Sequence, residues 1–557
     1  MRRTRWIAGV AMPLAAALAL AGCGDSGSSS NNGSGGGANA ADQKAKNDAA
    51  EITVRGSEPQ NPLIPGNTNE EGGAKIVDVL FATLVNNNPV TNEVENNNAE
   101  KIDMAKDAMS VTITLKKGWK FHDGTDVKAK NYVDAWNYTA YGPNGQLNAG
   151  FFTQIKGFAD VSSEDPDGDG PAKAPEPKAK TMSGLTVVDD STFKVEFSAP
   201  HAIFPIKLGY HAFAPLPDSF FADPKAFEQK PIGNGPYKFV SRVPKQEVKV
   251  ERFEDYQGTD KGHIKGVKFT FPESLDAAYA QVKSNQLDFL EVMPPSALAG
   301  NLWQTDLKGR SGTGDVLSIQ ILNFPLYDPK YQNVELRKAI SMAINREEIT
   351  KKIYEGLRKP VDGFAVPKTP GWEDGACGDN CKYNPEKAKE AFAKSGFKGT
   401  LEITSNSDGG HKEWIEAACG NIKNTIGLEC QFVPVQTFGE VRKKITAHTM
   451  TQMYRAGWIA DYPYIENFLN PLYRTGGSSN DGLYSNPAVD AKLAEADKAL
   501  TLDDATKLYR EAEKLVGADV PAIPLWNVPR IYAWSTKLKN IRMTPRGQID
   551  LSFVDIA

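Results

Sequence analysis

Apolar and polar residues alternate at period two in four separated stretches: Val111 to Leu115, Thr192 to Phe197, Val248 to Phe253 and Val267 to Phe271. Such alternation predicts half-buried strands. Elsewhere the apolar period becomes helical. Asn333 is an N-cap residue, and Leu336, Ala339, Ile340 and Ala343 follow at i, i+3, i+4 and i+7. Ala505, Leu508, Tyr509, Ala512, Leu515 and Val516 hold one apolar face through three turns. Strands and helices that are interleaved rather than segregated point to α/β lobes. The chain has 557 residues, enough for about three or four domain-sized units.

The amino terminus says where those lobes work. Arg2, Arg3 and Arg5 precede an uncharged stretch from Trp6 to Leu20, which ends in Leu20-Ala21-Gly22-Cys23. A basic head, an apolar middle and small residues at a cut site describe an export signal, too short for a bilayer span of about 20 residues. Cysteine after Leu-Ala-Gly resembles the bacterial lipobox. That resemblance implies a signal peptide over 1–22, cleavage before Cys23, and a lipid on the Cys23 sulfur. Residues 23–50 are rich in Gly, Ser, Asn and Ala, and predict a flexible tether. Loss of the signal removes three arginines and leaves 61 basic against 69 acidic residues, net −8. That balance argues against a nucleic-acid partner.

In an exported protein, cysteines pair by default. Beside Cys23 there are Cys377, Cys381, Cys419 and Cys430, which allow three pairings. Short local loops favour Cys377–Cys381 and Cys419–Cys430; a zinc site is disfavoured because no histidine clusters with them. Ser162 to Lys180 reads as an exposed loop. Within it Asp165, Asp167, Asp169, Gly170 and Glu176 match calcium-loop spacing, but Pro166, Pro171, Pro175 and Pro177 deny the required backbone, so it reads as a solvated acidic loop.

Enzyme signatures are missing. The sequence has no His-Glu-x-x-His, no phosphate-cradling Gly-x4-Gly-Lys-[Ser/Thr] and no Gly-x-Ser-x-Gly. Ser191/Lys194 and Ser395/Lys398 have Ser-x-x-Lys spacing without the companion motifs. No catalytic residue, metal site or cofactor is assigned.

Four stretches together resemble the large extracytoplasmic solute-binding proteins of ABC importers, the oligopeptide/dipeptide-binding family. They are Val111-Thr-Ile-Thr-Leu-Lys-Lys-Gly-Trp-Lys-Phe-His-Asp-Gly124 with the helix carrying Tyr132 and Trp136; Pro231-Ile-Gly-Asn-Gly-Pro-Tyr-Lys-Phe239; the capped segment from Asn333 to Ile349; and Arg455-Ala-Gly-Trp-Ile-Ala-Asp-Tyr-Pro463. The resemblance implies a two-lobed clamshell with an extra domain inserted in the first lobe. Lobe I is expected at 51–75, 195–315 and 519–557, the insert at 76–194 and lobe II at 316–518. It also implies that Asp461 pairs with a peptide's α-ammonium, that Arg455 meets its carboxylate, and that Trp458 walls the cleft. A scaffold carboxylate offers a buried ammonium the charge-assisted bond it needs, and a planar guanidinium suits a carboxylate.

The expected protein is therefore a lipid-anchored, monomeric receptor at the outer face of the cytoplasmic membrane. Its partners are short peptides, an ABC permease and the permease's ATPases. The same scaffold with another solute (an oligosaccharide, a nickel chelate or haem) is the alternative; an extracellular hydrolase or a signalling receptor is the reading from another class. Tyr464 and Ile465 stand where the family often has an acid.

Overall fold

The computed structural model describes residues 35–88, 93–162, 176–544 and 546–557. The signal peptide, Cys23 and most of the Asp/Pro loop lie outside the described residues. Two large sheets organise the rest. The first runs in the order Ser311–Gly314, Arg530–Trp534, Phe289–Leu290, Glu51–Arg55, Gly266–Thr270, Glu247–Arg252, Tyr237–Val243. The second runs Cys430–Val435, Leu401–Asn406, Met453–Ile459, Ser318–Asn323, Ala522–Asn527. Two of the four alternating stretches fall in the first sheet, in Glu247–Arg252 and Gly266–Thr270, as the period implies. Val248 and Val250 are buried, and Lys249 between them is not.

The chain passes between the sheets at 315–317 and again at 528–529. These crossings lie side by side: the Val528 N–H donates to the Ser318 carbonyl at 2.9 Å, and Ala460 N–H to Leu317 at 2.8 Å. Strand Ser318–Asn323 is buried along its whole length, as a central strand covered on both faces must be. Two short adjacent crossings between two sheets form a hinge.

A four-stranded antiparallel sheet, Ala99–Met104, Ser110–Leu115, Thr192–Glu196 and Leu185–Asp189, forms a separate layer. Helix Ala129–Ala140 packs on it. Its Tyr132 stacks on Phe193 at 5.7 Å and its Trp136 meets Phe193 edge-on at 5.4 Å. Aromatic pairs of this kind add to area burial.

Three boundaries differ from the sequence reading. Helix Gly35–Asp48 lies within the expected tether. Its Asn47 exchanges hydrogen bonds with Asp555 and Ile556 at 2.7 and 2.9 Å, and Asp48 pairs with Arg252 at 2.5 Å. Short helices are held by such tertiary contacts rather than by propensity, so composition alone does not reveal them. The first lobe was expected to resume at residue 519, yet Ala522–Asn527 pairs with Ser318–Asn323 in the second sheet. Helix Glu71–Leu80 straddles the expected start of the insert at residue 76 but sits against the first sheet's Pro231 to Phe239 turn. There the Gly235 N–H donates to Leu80 at 2.9 Å. A Cβ at Gly233 would lie 1.8 Å from the Leu80 carbonyl oxygen, so this close approach requires glycine.

The structure bonds Cys377 to Cys381 and Cys419 to Cys430. The second bridge ties helix Lys412–Ile426 to the edge strand Cys430–Val435.

Candidate functional site

A cavity lies between the two sheets beside the hinge. About 130 Å³ of it is open to the centre of a water-sized sphere, and its walls include Ser318, Trp458, Asp461, Val528 and Arg546. Arg455 lines it as well, so the three residues singled out in the Arg455 to Pro463 segment face one space. Strand Met453–Ile459 sets this up. Arg455 lies within it, Trp458 near its end, and the chain turns just beyond to present Asp461.

Asp461 is buried, with only 5% of its surface exposed. Asn467, fully buried as the second residue of helix Glu466–Tyr473, fixes it from both sides. The Asn467 Oδ1 accepts from the Asp461 N–H at 2.8 Å and from the Trp458 Nε1–H at 2.9 Å; its Nδ2 donates to Asp461 Oδ2 at 3.1 Å. The other carboxylate oxygen, Oδ1, lies 3.8 Å from Arg546 of the carboxy-terminal segment. Burial pushes the Asp461 carboxyl up to about 6, although Arg546 and the Asn467 bond act in the opposite direction. A buried carboxylate with one weak ionic partner is under-compensated, and a cation brought to it would restore the charged form.

Arg546 is held mainly by Asp78, at 2.8 Å, which also accepts from Gln548 at 2.7 Å and is bonded to His211 at 2.8 Å. Its guanidinium lies over the Tyr210 ring at 5.2 Å.

The far end of the cavity is cationic. Glu70 caps helix Glu71–Leu80, accepting from Gly72 and Gly73 N–H at 2.6 and 2.7 Å. Glu71, the first residue of this helix, pairs with Lys75 at 3.2 Å and accepts from the Arg530 guanidinium at 2.7 Å. Burial alone would raise the Glu71 carboxyl, but Arg530, Lys75 and Arg55 outweigh it and hold the group far below its usual range. Lys75 and Arg55 share Glu291. Arg455 is half-buried; its Nε is sealed from solvent and has no acceptor among the described residues.

Paired polar groups join the two bodies around the cavity. Lys207 and Glu466, both buried, meet at 2.9 Å; Gln154 donates to Asp497 at 2.9 Å, and Gln60 to Thr446 at 2.9 Å. Glu466 also accepts from Tyr462 and from Asn470. Lys207→Met therefore removes one of three partners from a buried carboxylate. Thermal unfolding should show a loss of about 2 kcal/mol, the worth of a hydrogen bond to a charged group. Beyond the Gln60–Arg442 contact lies a wider groove of about 1140 Å³, lined by Glu58, Arg242, Asp408 and Lys443 among others.

Sequence reasoning missed Arg546, Asp78, Glu71, Arg530 and Asn467. Asn467 had a signal, since it follows Asp461 by six residues at the start of a helix. The others reach the site only through the fold. Tyr464, which stands where the family often has an acid, donates from its hydroxyl to the Leu502 carbonyl at 3.0 Å.

Residues 93–480 match the family described as bacterial extracellular solute-binding proteins, family 5, middle region. The chain belongs to that family. Its members are binding proteins rather than enzymes, so family-5 membership gives this chain a ligand to hold and no reaction to perform. It is 26% identical to the dipeptide-binding protein DppE of Bacillus subtilis, over 82% of this chain and 83% of the relative. The oligopeptide-binding protein OppA of the same organism is 23% identical over 87% and 89%. In fold it is similar to Haemophilus influenzae OppA, solved in complex with RPPGFSPFR, with a TM-score of 0.80, 22% identity, and coverage of 91% of this chain and 98% of that one. The two-lobed α/β architecture expected from sequence is thereby shown.

Proposed function

We propose that this family-5 protein captures short peptides between its lobes, with Asp461 on the α-ammonium, Arg455 on the carboxylate and Trp458 against the chain between them. The observation that carries this reading is the opposite charge of the two ends of one cavity. Asp461 and Arg455 are six residues apart along strand Met453–Ile459 and the turn after it, at most about 20 Å at ~3.3 Å per residue. Less the reach of the two side chains, that span suits about three to five peptide units. Affinity drawn from the termini and the backbone, which all peptides share, lets one site accept many sequences. The names of the relatives, dipeptide- and oligopeptide-binding proteins, support the same class of ligand.

Ligand that bridges both lobes favours the arrangement in which Lys207–Glu466 and Asp461–Arg546 meet. The closed form then docks on an ABC permease driven by ATPases, while lipid on Cys23 keeps the monomeric receptor beside the membrane. The lobes divide near the two hinge crossings, with the layer around Ala99–Glu196 as an inserted domain. Mass spectrometry of ligand co-purified with native protein tests the reading. Short peptides are expected; an oligosaccharide, a nickel chelate or haem would contradict it.

A further inference from the structure

The cationic end of the cavity holds more positive charge than one peptide carboxylate uses. Arg455 and Arg530 line it, and Arg55, Lys75 and Arg358, which are not among its walls, act electrostatically on the same cluster, against the carboxylates Glu71, Glu291 and Asp408. His411, beside them, is kept neutral by burial and by Arg455 and Arg358. Glu413, another acid near Tyr354, is exposed. The cluster thus carries about two uncompensated cations.

Arg358 is the most exceptional member. Only 9% of it is exposed, its guanidinium carbon lies over the Tyr354 ring at 3.8 Å, and among the described residues no carboxylate or carbonyl accepts from it. Its neighbourhood repeats the pattern with other donors. Among the described residues, Tyr354 Oη and Trp526 Nε1, on rings 5.8 Å apart, are buried without a partner, as are the Nε groups of Arg455 and Arg530. Buried donors without acceptors are costly, and buried charges more so. Apart from Glu291 Oε2 and the Tyr354 hydroxyl, which can donate or accept, the orphans of this group are N–H donors, so the chemistry that satisfies most of them is an acceptor-rich anion. Stacking on an aromatic face leaves the guanidinium edge free for a bidentate carboxylate.

We infer that Arg358, with Arg455 and Arg530, forms a dicarboxylate pocket that selects ligands whose carboxyl end bears an acidic side chain beside the terminal carboxylate. This rests on the peptide reading and narrows it: the favoured ligands are short peptides ending in Glu or Asp.

The test is isothermal calorimetry of the full mature chain with Ala-Ala-Glu, its isostere Ala-Ala-Gln, and N-acetylglutamate, on wild type and Arg358→Met. Wild type should bind Ala-Ala-Glu at least about tenfold more tightly than Ala-Ala-Gln, and Arg358→Met should bring the ratio close to one. Equal affinities in the wild type would overturn the acidic pocket and leave the peptide reading standing. Should neither tripeptide bind while N-acetylglutamate binds wild type but not Arg358→Met, the pocket stands and the peptide reading falls. If none of the three binds, both fall. The wild-type comparison decides the matter even if the variant does not fold.

Discussion

Asp461→Asn lowers peptide affinity by two to three orders of magnitude, about 3–4 kcal/mol at ~1.4 kcal/mol per decade. The change keeps the shape of the side chain and leaves Asn467 in place, so it isolates charge. A desolvated ammonium then faces an amide, and breaking one side of a buried ion pair typically costs about 3–5 kcal/mol. The same substitution should stabilise the ligand-free protein at neutral pH. Asp461 is held near 6, above its usual 3.8. The folded state therefore binds the proton more tightly than the unfolded state does between these values. Stability from this group is fully present below about pH 4, is lost as pH rises through about 6, and is absent above it. Two units correspond to roughly 3 kcal/mol. Removal of the charge returns stability of that order at pH 7.5 and almost none at pH 4, as thermal unfolding at the two pH values would show. A purely structural Asp461 would give the opposite result, with stability falling at neutral pH.

Peptide affinity itself falls on acidification, and this is the second large effect. Binding needs Asp461 ionised and the α-amino group protonated, and the latter titrates near 7.7–8.0. Below about 6 each unit of pH protonates a further tenfold share of Asp461 in the free protein, so affinity at pH 4 should be about a hundredfold below that at pH 7. The slope is one proton released from the carboxyl per peptide bound. Calorimetry in buffers of different ionisation enthalpy measures that proton directly. An affinity that is flat from pH 7 to pH 4 would mean that no buried carboxylate takes part.

The parts of the fold legible in the sequence were those with local signals. The period-two stretch Val267 to Phe271 became Gly266–Thr270, and Asn333 caps helix Val334–Ala343 by accepting from Glu335 and Leu336 N–H. The Arg455 to Pro463 segment led to one wall of the cavity because a strand and its turn carry all three residues. The opposite wall was not legible. Asp78 and Arg546 are 468 positions apart and meet only through the first lobe. Nothing local in the sequence sets Glu71, Lys75 and Asp78 apart. Arg358 shows no sequence signal either, since nothing local says that it is buried. The helix Gly35–Asp48 was hidden for the same reason: its anchors, Asp555 and Ile556, lie at the other end of the chain.

The central claim is that a buried carboxylate between the lobes recognises a cationic amino terminus. Calorimetry with a mixed set of tri- to pentapeptides, each free and N-acetylated, addresses it most directly. Acetylation removes the α-ammonium and leaves the backbone, side chains and carboxylate intact. The account predicts that the free peptides bind and their acetylated forms do not. Equal affinity for the two forms would contradict it.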